Sequence, residues 1–219
     1  MNRFDFLSLA LILFFAPAFN ISALEANPSK NPLERLIQGN QRYVTSTTVC
    51  HEDWTAKRTA LVENQKPFAV IVACSDSRVP PEIVFDQSLG SLFVVRVAGN
   101  IVDDFAIGSI EYGVNVLGAN LVLVLGHSNC GAVDAALKGM KFDNHIQEVL
   151  NAIHPAIVAI KGQSGNLLEK AIKANVNIVE EKLKSSKPLL ATLIEKRVLR
   201  ISGGYYDLQS GQVEFFDKP

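Results

Sequence analysis

Neither sign of charge is in excess: 21 Lys and Arg stand against 22 Asp and Glu, a formal net charge of -1. A protein held to nucleic acid or to an anionic bilayer by its overall field needs a surplus this chain lacks. Long apolar runs are missing as well. The most apolar segment, FLSLALILFF from Phe6 to Phe15, falls short of the ~20 residues that span a bilayer. Cysteine is scarce, and its count is odd at three. Three cannot all pair within one chain, and a chain of this length builds a core without disulfide staples. At least one sulfur is therefore free, metal-bound or intermolecular. No glycine-rich stretch ends in Gly-Lys-Ser/Thr, so there is no phosphate loop of that kind. Repeats, low-complexity tracts and inter-domain linkers are absent too.

What remains is an ordinary globular composition, 48% hydrophobic and 20% charged over 219 residues, with a length that suits one domain. The N-terminus stands apart. Arg3 precedes the apolar block, small residues follow, and Ile21-Ser22-Ala23 offers a cleavage site. This is the pattern of a signal peptide over 1–23, followed by a single domain over 24–219. An uncleaved anchor or an amphipathic first helix is the alternative, but the block lacks the polar residues a two-faced helix needs. No cysteine lies near the cut, which argues against a lipoprotein. The expectation is export, to a bacterial periplasm, with no stable membrane insertion after cleavage. Removing Arg3 and Asp5 leaves the net charge at -1.

Asn31-Pro32 starts a helix, a capping residue followed by proline at the first turn, and 53–65 reads as a second helix closed by Lys66-Pro67. The period then changes. Phe68–Ala73, Leu92–Val97 and Leu121–Leu125 are short, β-branched and almost wholly apolar, as strands covered on both faces are. Helical patterns lie at 103–118 and 130–139, and again from His145 to Lys196 with breaks at 162–166 and at Pro188. The tail reads as a strand, a turn at Ser210-Gly211 and another strand. Alternating strands and helices define an α/β fold with a mainly parallel central sheet flanked by helices.

In such sheets, ligands gather beyond the carboxyl ends of strands. Two strands here end in chemistry: VIVACSDSR, which sets Cys74, Asp76 and Arg78 at alternate positions, and LVLVLGHSNCGA, with His127 and Cys130 three apart. If the two strands are neighbours, Cys74, His127 and Cys130 converge. Two thiolates and one imidazole suit Zn²⁺ with a fourth position left for water. A Cys74–Cys130 disulfide is the competing reading in an oxidising compartment, and a lone His-x-x-Cys is a weak signal. Asp76 projects to the same side of an extended chain as Cys74, and Arg78 can hold it in a bidentate pair. Gly99, Gly126 and Gly131 are expected as backbone necessities beside the metal.

CSDSR at 74–78 together with HSNCGA at 127–132 resembles the β-class carbonic anhydrases. The likeness extends through VFDQSLGSLFVVRVAGN, IEYGVNVLG and GGYYDLQSGQVEF, most of the chain after about residue 30. It implies a dimer or higher homo-oligomer, such as a tetramer, with sites at the subunit interface. It also implies Zn²⁺ on Cys74, His127 and Cys130, and Asp76 and Arg78 as a catalytic dyad. In this reading a zinc-bound hydroxide, oriented by Asp76, attacks carbon dioxide to give bicarbonate. Asp76 as a fourth zinc ligand belongs to a closed, inactive state of the family. Gln65 matches an amide that reaches substrate across the interface, and Phe93 and Tyr112 match apolar pocket walls. Ala98 stands where plant-type members commonly carry valine. Ile71 stands where a bicarbonate-inhibited bacterial subgroup has tryptophan, which places the chain with the non-allosteric kind.

Other readings stay open at this point. Carbonyl sulfide or carbon disulfide hydrolysis uses a similar scaffold, and a permanently capped, non-catalytic zinc protein is conceivable, although Arg78 and Gln65 weigh against it. Taken alone, Gln65 is a surface amide and Phe93 and Tyr112 are core. His51, His145 and His154 lack ligand-like neighbours, and Cys50 reads as a free thiol in an inter-helix loop.

Overall fold

The computed structural model describes residues 29–49 and 53–219. The leader expected over 1–23, Cys50 and His51 lie outside them. The first helix, α1 (Pro32–Val44), begins where the sequence signals it: the Asn31 side chain accepts from the Leu33 amide at 3.0 Å. A second short helix, α2 (Trp54–Ala60), is capped by Asp53 and buries none of its residues. It stops at Leu61, well before the expected end at 65. No packed face rewards its extension, and the residue before Pro67 is driven out of helical geometry.

Five strands form one sheet in the order β2-β1-β3-β4-β5, where β1 is Ala69–Ala73, β2 Leu92–Arg96, β3 Leu121–His127, β4 Arg200–Tyr206 and β5 Val213–Phe215. All pairings are parallel except β4 with β5, an antiparallel hairpin whose turn carries Gly211. β1 and β3 are buried at every position, which explains their unbroken apolar sequence. β3 runs two residues beyond the expected Leu125, because Gly126 and His127 keep register with Tyr205 and Tyr206.

Alternate strand residues point to opposite faces. Val70, Val72, Val122 and Val124 meet α4 (Asp104–Asn115), α7 (Leu167–Lys184) and α8 (Leu190–Glu195) through Ile110, Val176 and Leu190. Ala69, Ile71, Leu123 and Leu125 meet α1 and α3 (Pro81–Val84), a one-turn helix that proline-rich sequence had hidden. The remaining helices, α5 (Gly131–Leu137) and α6 (Ile146–Ala159), pack with α7 around the carboxyl end of the sheet. Asn40 on α1 is buried: its amide nitrogen donates to Val84 O (3.1 Å) and Gly211 O (2.9 Å), and its oxygen accepts from Val213 N (2.9 Å). No helix among the described residues is long and apolar enough to cross a membrane.

Candidate metal centre

The chain leaves β1 towards β2 on one side and β3 towards β4 on the other. The carboxyl ends of the paired strands β1 and β3 therefore form a switch point, the place where such sheets bind ligands. Cys74 is the first residue past β1, His127 the last of β3, and Cys130 the cap of α5. Their ligand atoms all lie within 4.8 Å of one another, and all three residues are buried.

His127 shows which nitrogen is available. Its Nδ1 lies 2.9 Å from the Ser128 carbonyl, which can only accept, so Nδ1 carries the proton and Nε2 keeps its lone pair. That Nε2 is buried without a hydrogen-bond partner among the described residues. An orphaned buried acceptor is costly unless something binds it. Hydrogen bonding with Cys130 is the main reason the Cys74 thiol is held below its ordinary value; burial opposes this, and the Gly99 amide assists. Cys130 is pushed up, because its proton is held by the Cys74 sulfur and because it is buried. A proton shared between two sulfurs is what a divalent cation displaces on binding. Two sulfurs and a free imidazole nitrogen therefore fit a thiolate-loving metal such as zinc.

Around this cluster the backbone is pinned. A 3-10 turn, Ala98–Asn100, follows β2, and the Gly99 amide donates to Cys74 Sγ at 3.3 Å. Gly99 has φ +69°, and a Cβ there would meet Ile153 Cδ1 at 2.7 Å, so both conformation and space demand glycine. A Cβ on Gly126 would strike Val176 Cγ2 at 2.7 Å; at Gly131 it would meet open space, so the expectation of a backbone necessity at Gly131 does not hold. Arg96 donates to the carbonyls of Cys74 (2.9 Å) and Asp76 (2.5 Å).

Asp76 takes Arg78 in a fork: Nε to Oδ1 at 2.9 Å and Nη2 to Oδ2 at 2.7 Å, with the Arg78 amide on Oδ1 at 3.0 Å. Those bonds from Arg78 hold the Asp76 carboxyl far below the usual carboxylate range, against a smaller opposing effect of burial. Asp76 Oδ2 stops 3.8 Å from His127 Nε2, so the clamped carboxylate stands beside the donor cluster without closing on it.

The other sequence candidates divide. Ala98 opens the 3-10 turn just before Gly99 and is exposed. Gln65 is exposed and lines a cavity of about 490 Å³ with Leu61, Leu89 and Leu92, at the amino ends of the strands and so at the opposite end of the sheet from Cys74 of its own chain. Phe93 and Tyr112 stack on each other, centroids 6.2 Å apart, along the outer edge of the sheet; Tyr112 is 49% exposed. His145 and His154 are exposed. Sequence reasoning missed Arg96 and Ser128. A charged residue ending an apolar strand was the available signal for Arg96; Ser128 Oγ, which accepts from the Leu208 amide at 2.8 Å, gave none.

A doubly wound parallel sheet with a Cys-His-Cys cluster at its switch point defines an α/β protein with a candidate metal site. Comparison with known proteins says which. The sequence profile of the carbonic anhydrase family matches residues 69–213. Carbonic anhydrase 2 of Mycobacterium tuberculosis (strain ATCC 25618 / H37Rv) is 34% identical over 197 residues, covering 87% of this chain and 95% of its own. The Mycolicibacterium smegmatis carbonic anhydrase is 34% identical over 194 residues, covering 85% and 94%. The solved β-carbonic anhydrase CcaA superposes with a TM-score of 0.66 at 26% identity, covering 85% of this chain and 96% of its own. The Coccomyxa β-carbonic anhydrase shares the fold, with a TM-score of 0.68 at 24% identity, covering 87% and 88%. The chain belongs to the β-carbonic anhydrase family and is an enzyme of that family.

Proposed function

We propose that the protein catalyses the zinc-dependent, reversible hydration of carbon dioxide to bicarbonate and a proton. The observation that carries this reading is the free, buried Nε2 of His127 facing two sulfurs, with an ionised carboxylate held just outside the cluster. Cys74, His127 and Cys130 would hold the metal, which when bound supplies the Lewis acidity that makes water nucleophilic near neutral pH. The chain's own residues do the rest. Asp76, kept ionised by Arg78, accepts a hydrogen bond from the attacking water and so turns a lone pair towards the carbon. Arg78 keeps that carboxylate from swinging onto the donor cluster. The Gly99 amide and the Arg96 bonds fix the sulfur and the loop that carries them.

Gln65, Phe93 and Tyr112 complete the substrate pocket of a second copy, which makes the active form a homodimer or a higher homo-oligomer. The exposure of Gln65 and Tyr112, and an edge strand β2 with no neighbour on its outer side among the described residues, support this. Ile71, buried in the core where tryptophan would mark the bicarbonate-inhibited subgroup, supports a non-allosteric enzyme. The apolar block Phe6–Phe15 supports export to a periplasm.

Stopped-flow hydration of carbon dioxide by metal-loaded protein, with carbonyl sulfide as a parallel substrate, tests the reading. Rapid hydration that disappears with chelation and returns with zinc is expected. Metal-loaded protein that hydrolyses carbonyl sulfide but leaves carbon dioxide untouched overturns it.

A further inference from the structure

Asn175 lies in the middle of α7, on the face that packs against the sheet, between the buried residues Ile172, Val176 and Val179. It is 1% exposed. An apolar side chain is the ordinary solution there; asparagine is a poorer helix former, and a buried amide must find partners to offset its desolvation. The partner is the carbonyl of Gly99, to which Asn175 Nδ2 donates at 2.8 Å. Two helical turns further on, Lys182 donates to Val102 O at 2.8 Å. One face of α7 thus grips the segment after β2 at two points.

The first of these points matters for the metal. Gly99 is the residue whose amide donates to Cys74 Sγ. Glycine reaches its φ of +69° and many other conformations freely, so a bond on its carbonyl helps decide whether its N–H aims at the sulfur. We propose that Asn175 is a positioning residue for the metal centre: by holding the Gly99 carbonyl, it keeps the Gly99 amide on the Cys74 sulfur and so moderates that sulfur's electron donation to the metal. This rests on the reading of Cys74, His127 and Cys130 as metal ligands. It follows the general rule that groups behind the ligands orient them and tune the metal, with losses on the order of 10–100-fold in affinity when they are removed.

The test compares Asn175→Leu, which keeps the number and branching of the side-chain heavy atoms and loses the donor, with Val179→Ala, which weakens the same buried face without touching Gly99. The protein is loaded with cobalt in place of zinc, and the sulfur-to-cobalt charge-transfer absorption is recorded alongside zinc affinity by chelator competition. A sulfur that loses its N–H bond is more electron-rich. Asn175→Leu is therefore expected to move the band to longer wavelength and, because the ligand is no longer held in orientation, to weaken zinc binding about tenfold or more. Val179→Ala should lower the melting temperature and leave both readings where they are. An unmoved band in a folded Asn175→Leu protein overturns the proposal, as does an equal shift in Val179→Ala. If Asn175→Leu does not fold, Asn175→Ser, too short to reach Gly99, carries the same expectation. Wild-type protein whose cobalt form shows no sulfur band overturns the ligand reading itself, a result distinct from wild-type binding with an indifferent Asn175.

Discussion

β1 and β2 are neighbours of equal length in the same sheet, yet they do opposite work. β1 is buried at all five positions, while β2 is buried only at Leu92 and opens to solvent towards Arg96. The Cys-His-Cys cluster hangs from the ends of β1 and β3, so its three side chains are placed by the most constrained part of the chain. Of the residues matched to substrate contact, Tyr112 on α4 and Gln65 before β1 are exposed, and Phe93 on β2 is half-buried beneath α4 at the edge of the sheet. In the proposed function, one half of the chemistry is built inside a subunit and the other is supplied from the rim of a second copy. A centre that must hold a cation to a fraction of an ångström needs a close-packed interior around it, whereas a pocket wall can be supplied by docking.

This contrast can be broken at several points. The largest effect is expected from His127→Ala or Cys130→Ser: stoichiometric zinc, measured by atomic emission on purified protein, and carbon dioxide hydration should both be lost. Next comes Asp76→Asn, which keeps the cluster and removes the acceptor; hydration should fall on the order of 10²-fold or more while zinc content stays full. Arg78→Ala should also depress hydration, by letting Asp76 swing onto the metal, and unchanged turnover would show that the clamp has no such role. Ile71→Ala, in the middle of β1, should cost about 2–5 kcal/mol in a denaturant melt and leave zinc stoichiometry intact in the folded fraction. The smallest effect belongs to the rim. Gln65→Ala should leave stability and zinc content unchanged and lower kcat/KM by about tenfold, the worth of one hydrogen bond to substrate. In a mixed oligomer with His127→Ala subunits, that loss should follow the subunit opposite the intact metal.

The sequence made the inner half easy to see, and physics explains why. Strands buried on both faces must be apolar throughout, so a cysteine, a histidine and a clamped carboxylate at their ends stand out against the background. The turn at Ala98–Asn100 was harder, because three residues carry no period, and only the glycine hinted at it. Asn175 was invisible: within an amphipathic helix of mixed composition, a single asparagine reads as a surface residue until the packing shows which way it faces. α2 ended early for the converse reason, since local helical preference means little where nothing packs against it. That β1 and β3 lie side by side could be supposed but not read, because strand order is a property of the whole sheet.

Asn40 has a consequence of another kind. The helix that carries it leaves the ribosome among the first pieces of the fold, yet two of its three hydrogen-bonding partners, Gly211 and Val213, are among the last. Without the β4–β5 hairpin the buried Asn40 amide keeps one of its three partners, and an unpaired buried polar group costs about 1–3 kcal/mol. One side chain thus ties α1 to the β4–β5 hairpin across more than 170 residues of sequence.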